Sequence, residues 1–273
     1  MQLAGAHVLV TGGSRGIGAA IAREYARRDA IVSIAARDGE ALDQLAIEFR
    51  GHAFVADLLD SAQVDGLVER VEAAVGPVDV LVNNAGMDHI GAFHTADRSA
   101  IRDVARLNFE APMVLTRQVL PGMLHRRRGH VVFVSSLAGT SGFAGLAVYS
   151  GTKAGLNNFV ASIRMELKDT PITTTVVAPG PVDTEMWDRL EAATDYAAML
   201  KRLRLFRLLP KASPDSVARK TVDATATPTR HVRMPRRLLV NHLLREAPTR
   251  IIEGLTTGVV VGPQIAAADD GDD

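Results

Sequence analysis

Two hydrophobic periods alternate along this chain. Short apolar runs rich in Val, Ile and Ala occupy residues 8–10, 31–35, 53–56, 78–82, 131–134 and 172–177, most of them running into Gly, Asn, Asp, Ser or Pro. Between them, over about 17–28, 38–49, 61–75 and 97–123 and again from 149 onward, the apolar positions suit amphipathic helices. Continuous β-branched runs predict strands buried on both faces, and a 3.6-residue period predicts the helices that cover them. Strand and helix in strict alternation predict an α/β fold, a doubly wound Rossmann-type parallel sheet with helices on both faces and ligands at the carboxyl ends of its strands. Ser213-Pro214-Asp215 predicts a helix start, with a capping hydroxyl, a first-turn proline and an acid near the positive end of the dipole. That helix should reach about Ala226, and residues 231–234 should form a short edge strand closed by Pro235.

The first strand ends in Thr11-Gly12-Gly13-Ser14-Arg15-Gly16-Ile17-Gly18 and opens a helix. Glycines there allow a tight turn and close backbone approach to a pyrophosphate, whose charge the helix N-terminus favours. Gly12, Ser14, Arg15, Gly16, Ile17 and Gly18 are therefore candidate dinucleotide contacts. The second strand ends in Ala35-Ala36-Arg37, without the carboxylate that would bond a ribose 2'-hydroxyl. Arg37 offers a planar fork for a 2'-phosphate and Arg15 a second one, so NADP is expected ahead of NAD. Against this stands the alternative that both arginines are solvated and Asp38 or Glu40 takes the carboxylate's place.

The fifth apolar run ends in Ser135-Ser136, a Gly-rich loop follows, and then Tyr149-Ser-Gly-Thr-Lys153. On a helix, Tyr149 and Lys153 lie one turn apart on one face. A free phenol titrates near pH 10, and a nearby ammonium lowers that value by favouring the phenolate. Tyr149 is thus a candidate general acid or base, and Ser136 a donor to a carbonyl oxygen as it gains charge. Standing alone, so short a pattern recurs by chance and better suits a strand-ending Ser, a core Tyr and a solvated Lys.

Taken together, these stretches resemble the short-chain dehydrogenase/reductase family. The glycines follow TGxxxGxG, and Asp57, Asn83-Asn84-Ala85-Gly86, Asn108, the Ser136/Tyr149/Lys153 set and Pro179-Gly180 with Thr184 follow in family order over roughly residues 5–185. The resemblance implies an NADP-dependent oxidoreductase interconverting a ketone and a secondary alcohol. Asp57 would contact the adenine, and Asn83, Ala85 and Gly86 would line the adenine side and its ribose. Pro179, Gly180, Val182 and Thr184 would cover the nicotinamide, Lys153 would bond its ribose, and Asn108 would hold a water in a proton relay to Lys153. Read bare, Asp57 or Ser61 is a helix cap, Asn108 a tolerated interior residue beside the break at Pro112, and 179–184 a proline turn.

Past Thr184 the resemblance fades. Residues 185–210 stand where the family keeps its substrate cover, and Met, Leu and Phe alternate there with Lys201, Arg202, Arg204 and Arg207. An apolar lid, a basic membrane face and an ordinary amphipathic helix all fit, the last best. The family's tetramer-building turn is replaced by an apolar stripe over 235–262, which would bury a partner subunit, line a tunnel or touch lipid. A homodimer or larger assembly remains the expectation by resemblance. Residues 1–262 read as a single domain, and the small acidic tail 263–273 as disordered.

With 47% apolar and 23% charged residues and a net charge of zero, the composition is that of a globular protein and argues against nucleic acid as partner. The absence of cysteine excludes disulfides, thiol catalysis and zinc-thiolate sites. The eight histidines show no metal-ligand spacing, with His89 and His94 in a loop near the expected cleft, so no metal is assigned. The first strand begins almost at Met1 and no run is long enough to span a bilayer, which suggests a cytoplasmic protein. Two rivals stand beside the small-molecule carbonyl reductase: a nucleotide-binding regulator with little turnover, and a peripheral membrane protein acting through its C-terminal stripe.

Overall fold

The computed structural model describes residues 1–140, 142–143, 145–192 and 211–234. Seven strands, β1 (His7–Thr11), β2 (Ile31–Ala36), β3 (His52–Val55), β4 (Val80–Asn83), β5 (His130–Val134), β6 (Thr173–Pro179) and β7 (His231–Met234), form one parallel sheet. Their order is β3-β2-β1-β4-β5-β6-β7, so the chain reverses its winding between β1 and β4. The interleaved helices are α1 (Gly16–Ala26), α2 (Gly39–Phe49), α3 (Ser61–Asp65), α4 (Leu67–Val75), α5 (Arg98–Ala105), α6 (Ala111–His125), α7 (Ala147–Glu166), α8 (Glu185–Ala192) and α9 (Pro214–Ala226).

Strand parity divides the core into two layers. Val8, Val10, Val80, Val82 and Val132 pack with Ile21, Tyr25, Leu42 and Val222 of α1, α2 and α9. The alternate positions Leu9, Leu81, Val131 and Phe133 pack with Leu67, Leu115, Val119 and Leu156 of α4, α6 and α7. Both faces are thus covered, which is why the strands read as continuous apolar runs.

Two expected helices are broken, each for a local reason. The segment 61–75 divides at Gly66 into α3 and α4, and the cap of α3 is Asp60, whose Oδ1 accepts from the N–H groups of Ala62 and Gln63, rather than Asp57 or Ser61. The segment 97–123 is α5, a π turn over Arg106–Glu110 and then α6. Pro112 falls in the first turn of α6, where a missing N–H costs little, so it does not interrupt the helix. Ser213 caps α9 as expected. Residues 193–210, 235–262 and 263–273 lie outside the described residues, and with them most of the expected lid, the apolar stripe and the tail. No helix among the described residues is long and apolar enough to cross a membrane.

The helices α1 and α9 meet at a buried polar contact, Tyr25 Oη to Thr225 Oγ1 at 2.6 Å. Tyr25 is fully buried, so its ring fills core volume while its hydroxyl is satisfied across the helix pair. Tyr25→Phe is expected to lower the unfolding free energy by about 1 kcal/mol and Tyr25→Ala by about 3–5 kcal/mol. Urea titrations of the two variants check this; equal losses would mean that the ring contributes nothing beyond its hydroxyl.

Candidate active site

A cleft of about 1050 Å³ opens along the carboxyl ends of the strands, lined from the exits of β1 to β6 and by α8. Its centre is the point between β1 and β4 where the winding reverses, the place at which open α/β sheets hold ligands. Thr11 Oγ1 ties the two exits there, donating to Val82 O and accepting from the N–H groups of Asn84 and Ala85. Asn84 Nδ2 donates in turn to the carbonyls of Thr11 and Gly12 at 2.9 and 3.0 Å.

The glycine loop fits a dinucleotide. A Cβ on Gly18 would stand 2.1 Å from Gly12 O, and one on Gly12, at φ +63°, 2.8 Å from Ala85 Cα, so neither position admits a side chain. The N-terminus of α1 has no side-chain cap and no acid in its first turn, which leaves its N–H groups for an anion. Gly12, Ser14, Arg15, Gly16, Ile17 and Gly18 all line the cleft. Arg15 meets Glu185 of α8 at 2.8 Å through Nη1, and both side chains stay mostly exposed. Arg37 lines the cleft at the exit of β2, and among the described residues no hydrogen bond or ion pair occupies it. Neither acid beside it stands free: Asp38 caps α2 through the Ala41 N–H, and Glu40 accepts from Gln44.

At the β5 exit, Ser136 Oγ accepts from the Ala138 N–H and lines the cleft beside the Tyr149 phenol. Tyr149 sits in the first turn of α7 with Lys153 one turn on, as the spacing predicts. Lys153 is 4% exposed, and its Nζ donates to Val134 O at 2.9 Å and lies 5.8 Å from the Tyr149 ring centroid. The electrostatics differ from expectation. Burial pushes the Tyr149 phenol up, the Ser136 hydrogen bond pulls the other way, and the charge of Asp88 adds to the rise. Burial also brings the Lys153 ammonium down to about 8. Desolvation thus outweighs the expected lowering of the phenol by its lysine, and Tyr149 is held protonated at neutral pH.

The remaining expected residues divide into those at the cleft and those behind it. Asp57, Ala85, Gly86, Pro179, Gly180, Val182 and Thr184 line it. Asn83 does not: strand parity points it into the core, where its Nδ2 donates to Thr116 Oγ1, and Asn84 takes the place at the cleft. Asn108 lies behind the wall, fully buried in the π turn, and its amide accepts from the Met87 N–H and donates to Met87 O and Thr152 Oγ1. Its side chain therefore clamps the β4 exit to α7. Gly86 leaves room for this clamp, since a Cβ there would be 3.1 Å from Asn108 Oδ1 and 3.5 Å from Lys153 Nζ. Residues that the motif left unassigned, Asn84, Asp88, Trp187 and Arg189, complete the walls, and Thr11 is buried behind them. The parity of β4 was the available signal for Asn84, whereas nothing in the spacing marked the others.

Doubly wound sheets that carry a glycine loop after β1 are dinucleotide binders. Residues 6–195 match the family model described as short chain dehydrogenase, and the chain belongs to that family. It is 40% identical over 185 residues to the ketoacyl reductase HetN of Nostoc, a match covering 66% of this chain and 64% of that protein. To the bovine 3-ketodihydrosphingosine reductase it is 36% identical over 194 residues, covering 67% and 58%. The matches thus span about six-tenths of the length of these two relatives. Among solved structures, a metagenomic short-chain oxidoreductase in complex with NADP superposes with a TM-score of 0.69 at 33% identity, over 85% of this chain and 98% of that one. A short-chain dehydrogenase from Streptomyces avermitilis gives 0.77 at 30% identity, over 94% and 98%.

The buried ammonium sets a pH-dependent cost on folding. Lys153 binds its proton more weakly in the fold, at about 8, than at its ordinary value of 10.5. The cost is therefore complete below about 8 and is relieved as pH rises to 10.5. Lys153→Met should gain about 2 kcal/mol of unfolding free energy at pH 7, the desolvation saved less one hydrogen bond, and little at pH 10.5. Urea unfolding of the nucleotide-free protein at both pH values tests this, and a gain independent of pH would contradict it.

Proposed function

We propose that the protein is an NADP-dependent oxidoreductase that interconverts a ketone and a secondary alcohol on a hydrophobic substrate. One observation carries the reading: Tyr149 and Ser136 line the same cleft, with the buried ammonium of Lys153 one helical turn behind. The glycine loop with Ala85 and Gly86 would hold the nucleotide, Asp57 its adenine, and Pro179, Gly180, Val182 and Thr184 the nicotinamide end. When bound, the nicotinamide supplies or takes up the hydride. Ser136 donates to the substrate oxygen, and Tyr149 Oη gives that oxygen its proton in reduction and takes it back in oxidation. Lys153 bonds the nicotinamide ribose, and its charge favours the phenolate left when the proton has gone. Asn108 is a positioning residue that holds Met87 and Thr152.

Two supports favour NADP over NAD. Arg37 stands open at the β2 exit while its neighbouring acids are engaged within α2, and the metagenomic structure is named as an NADP complex. A hydrophobic carbonyl substrate is supported by the apolar cluster of Leu146, Leu190, Phe143 and Trp187 at the cleft, and by the names of the ketoacyl and ketodihydrosphingosine reductases.

NADPH oxidation by the purified protein, assayed against a series from aryl ketones to long-chain 3-oxoacyl compounds, tests the reading. Tyr149→Phe should retain nucleotide binding and lose about 100-fold or more in kcat, since only the proton donor is removed; a variant with wild-type turnover would refute the role of Tyr149. Arg37→Ala should raise the Kd for NADPH about 10-fold or more and leave NADH nearly unchanged, one charge-assisted contact being lost. An equal loss for both nucleotides in titration calorimetry would refute the preference for NADP.

A further inference from the structure

The apolar half of the cleft contains a carboxylate that the reaction outlined above does not use. Leu146 and Leu190, with Ile90, Phe143, Tyr149 and Trp187 against them, form a hydrophobic cluster apart from the two main layers. Asp88, four residues beyond Asn84 on the β4 exit, lines the same cleft with its side chain only 13% exposed. It is close enough to Tyr149 for its charge to act on the phenol. Its ion-pair partner is Arg189 of α8, whose Nη2 reaches Asp88 Oδ1 at a long 3.3 Å from the half-exposed rim.

A carboxylate has about four acceptor positions. Oδ1 of Asp88 takes the one bond from Arg189, and Oδ2 takes none from the described residues. The other acids of the cleft have local partners. Asp57 accepts from the Leu59 N–H, Asp38 caps α2 and Glu185 pairs with Arg15. A carboxylate so placed is costly unless hydrogen bonds compensate it, and open acceptor capacity beside a proton donor is suited to a ligand group.

We propose that Asp88 is a specificity-determining residue, accepting a hydrogen bond from a donor on the substrate, an ammonium in preference to a hydroxyl, carried within a few bonds of the ketone. The hydrocarbon remainder lies against Phe143, Leu146, Trp187 and Leu190. The substrate class is then a long-chain amino ketone or hydroxy ketone rather than an unsubstituted one. Ammonium gains more than hydroxyl because its bond to the carboxylate is charge-assisted. This inference rests on the ketoreductase reading given above.

The test uses the full chain with NADPH and three ketones of equal chain length, bearing a 2-amino group, a 2-hydroxyl or no substituent. Wild type should prefer the amino ketone over the unsubstituted one by about 10- to 100-fold in kcat/KM. Asp88→Ala should abolish both preferences, and Asp88→Asn should restore part of the hydroxy preference while leaving the amino preference lost, because an amide oxygen accepts a bond without charge. Arg189→Ala, which leaves Asp88 without its cation, should sharpen the amino preference. Trp187 is the single tryptophan of the chain and lines the cleft, so its fluorescence gives the Kd of the three alcohol products independently of turnover. Reduction of all three ketones with ratios unchanged by Asp88→Ala overturns the role of Asp88 and leaves the ketoreductase standing. Failure to reduce any of them, with no Trp187 response to their alcohols, overturns both.

Discussion

The exits of β1 and β4 meet at the buried hydroxyl of Thr11, which donates once and accepts twice between the two strands. Asn84 closes the junction from the other side by holding the carbonyls of Thr11 and Gly12. The glycine loop can come this close only because Gly12 and Gly18 have no Cβ to strike Ala85 or the loop's own backbone. The position of the open end of α1, and hence of any anion it receives, follows from that contact. So does the course of the β4 exit, which goes on to carry Met87 and Asp88 along the cleft wall.

Much of this was legible from residue order. The alternation of apolar runs and amphipathic stretches foretold the inner parallel strands, because burial on both faces leaves a run without polar interruption, and the short edge strand at His231–Met234 was legible from the proline that closes it. Tyr149 and Lys153 were legible as a pair because a helix places them one turn apart whatever surrounds it. What escaped was settled by contacts between distant segments. Asn83 and Asn84 look alike in sequence, yet the first turns to Thr116 and the second to the glycine loop. The contact of Arg15 with Glu185 joins segments 170 positions apart, and Asp60 takes the cap of α3 while Asp57 turns to the Leu59 N–H. The shift of the Tyr149 phenol could not be foreseen from its lysine alone, since the depth of burial sets the larger effect.

The cleft also shows where stability yields to chemistry. An ammonium at 4% exposure, an acid in an apolar cluster and a buried amide in a π turn each oppose the simple packing of an α/β core. They are concentrated around the exits of β4 and β5, while the opposite layer, with α1, α2 and α9, holds the buried pair of Tyr25 with Thr225. The division suits a fold in which one layer supplies rigidity for the layer that carries the cleft.

The π turn at Arg106–Glu110 widens a helix without shifting its faces. Such a turn contains one more residue than the α turn it replaces, an insertion housed inside a helix without a loop. Beyond it, α6 presents Leu115, Val119 and Met123 to the sheet. Deleting one residue there would let the two halves join as regular helix with their faces nearly in phase, since five residues of π turn rotate about as far as four of α-helix. The apolar stripe of α6 would stay on the sheet, and what would be lost is the wide turn from which Asn108 reaches Met87 and Thr152. The same sheet would persist with its β4 exit unheld, and insertions and deletions in this short stretch therefore separate the foldability of the chain from the competence of its cleft.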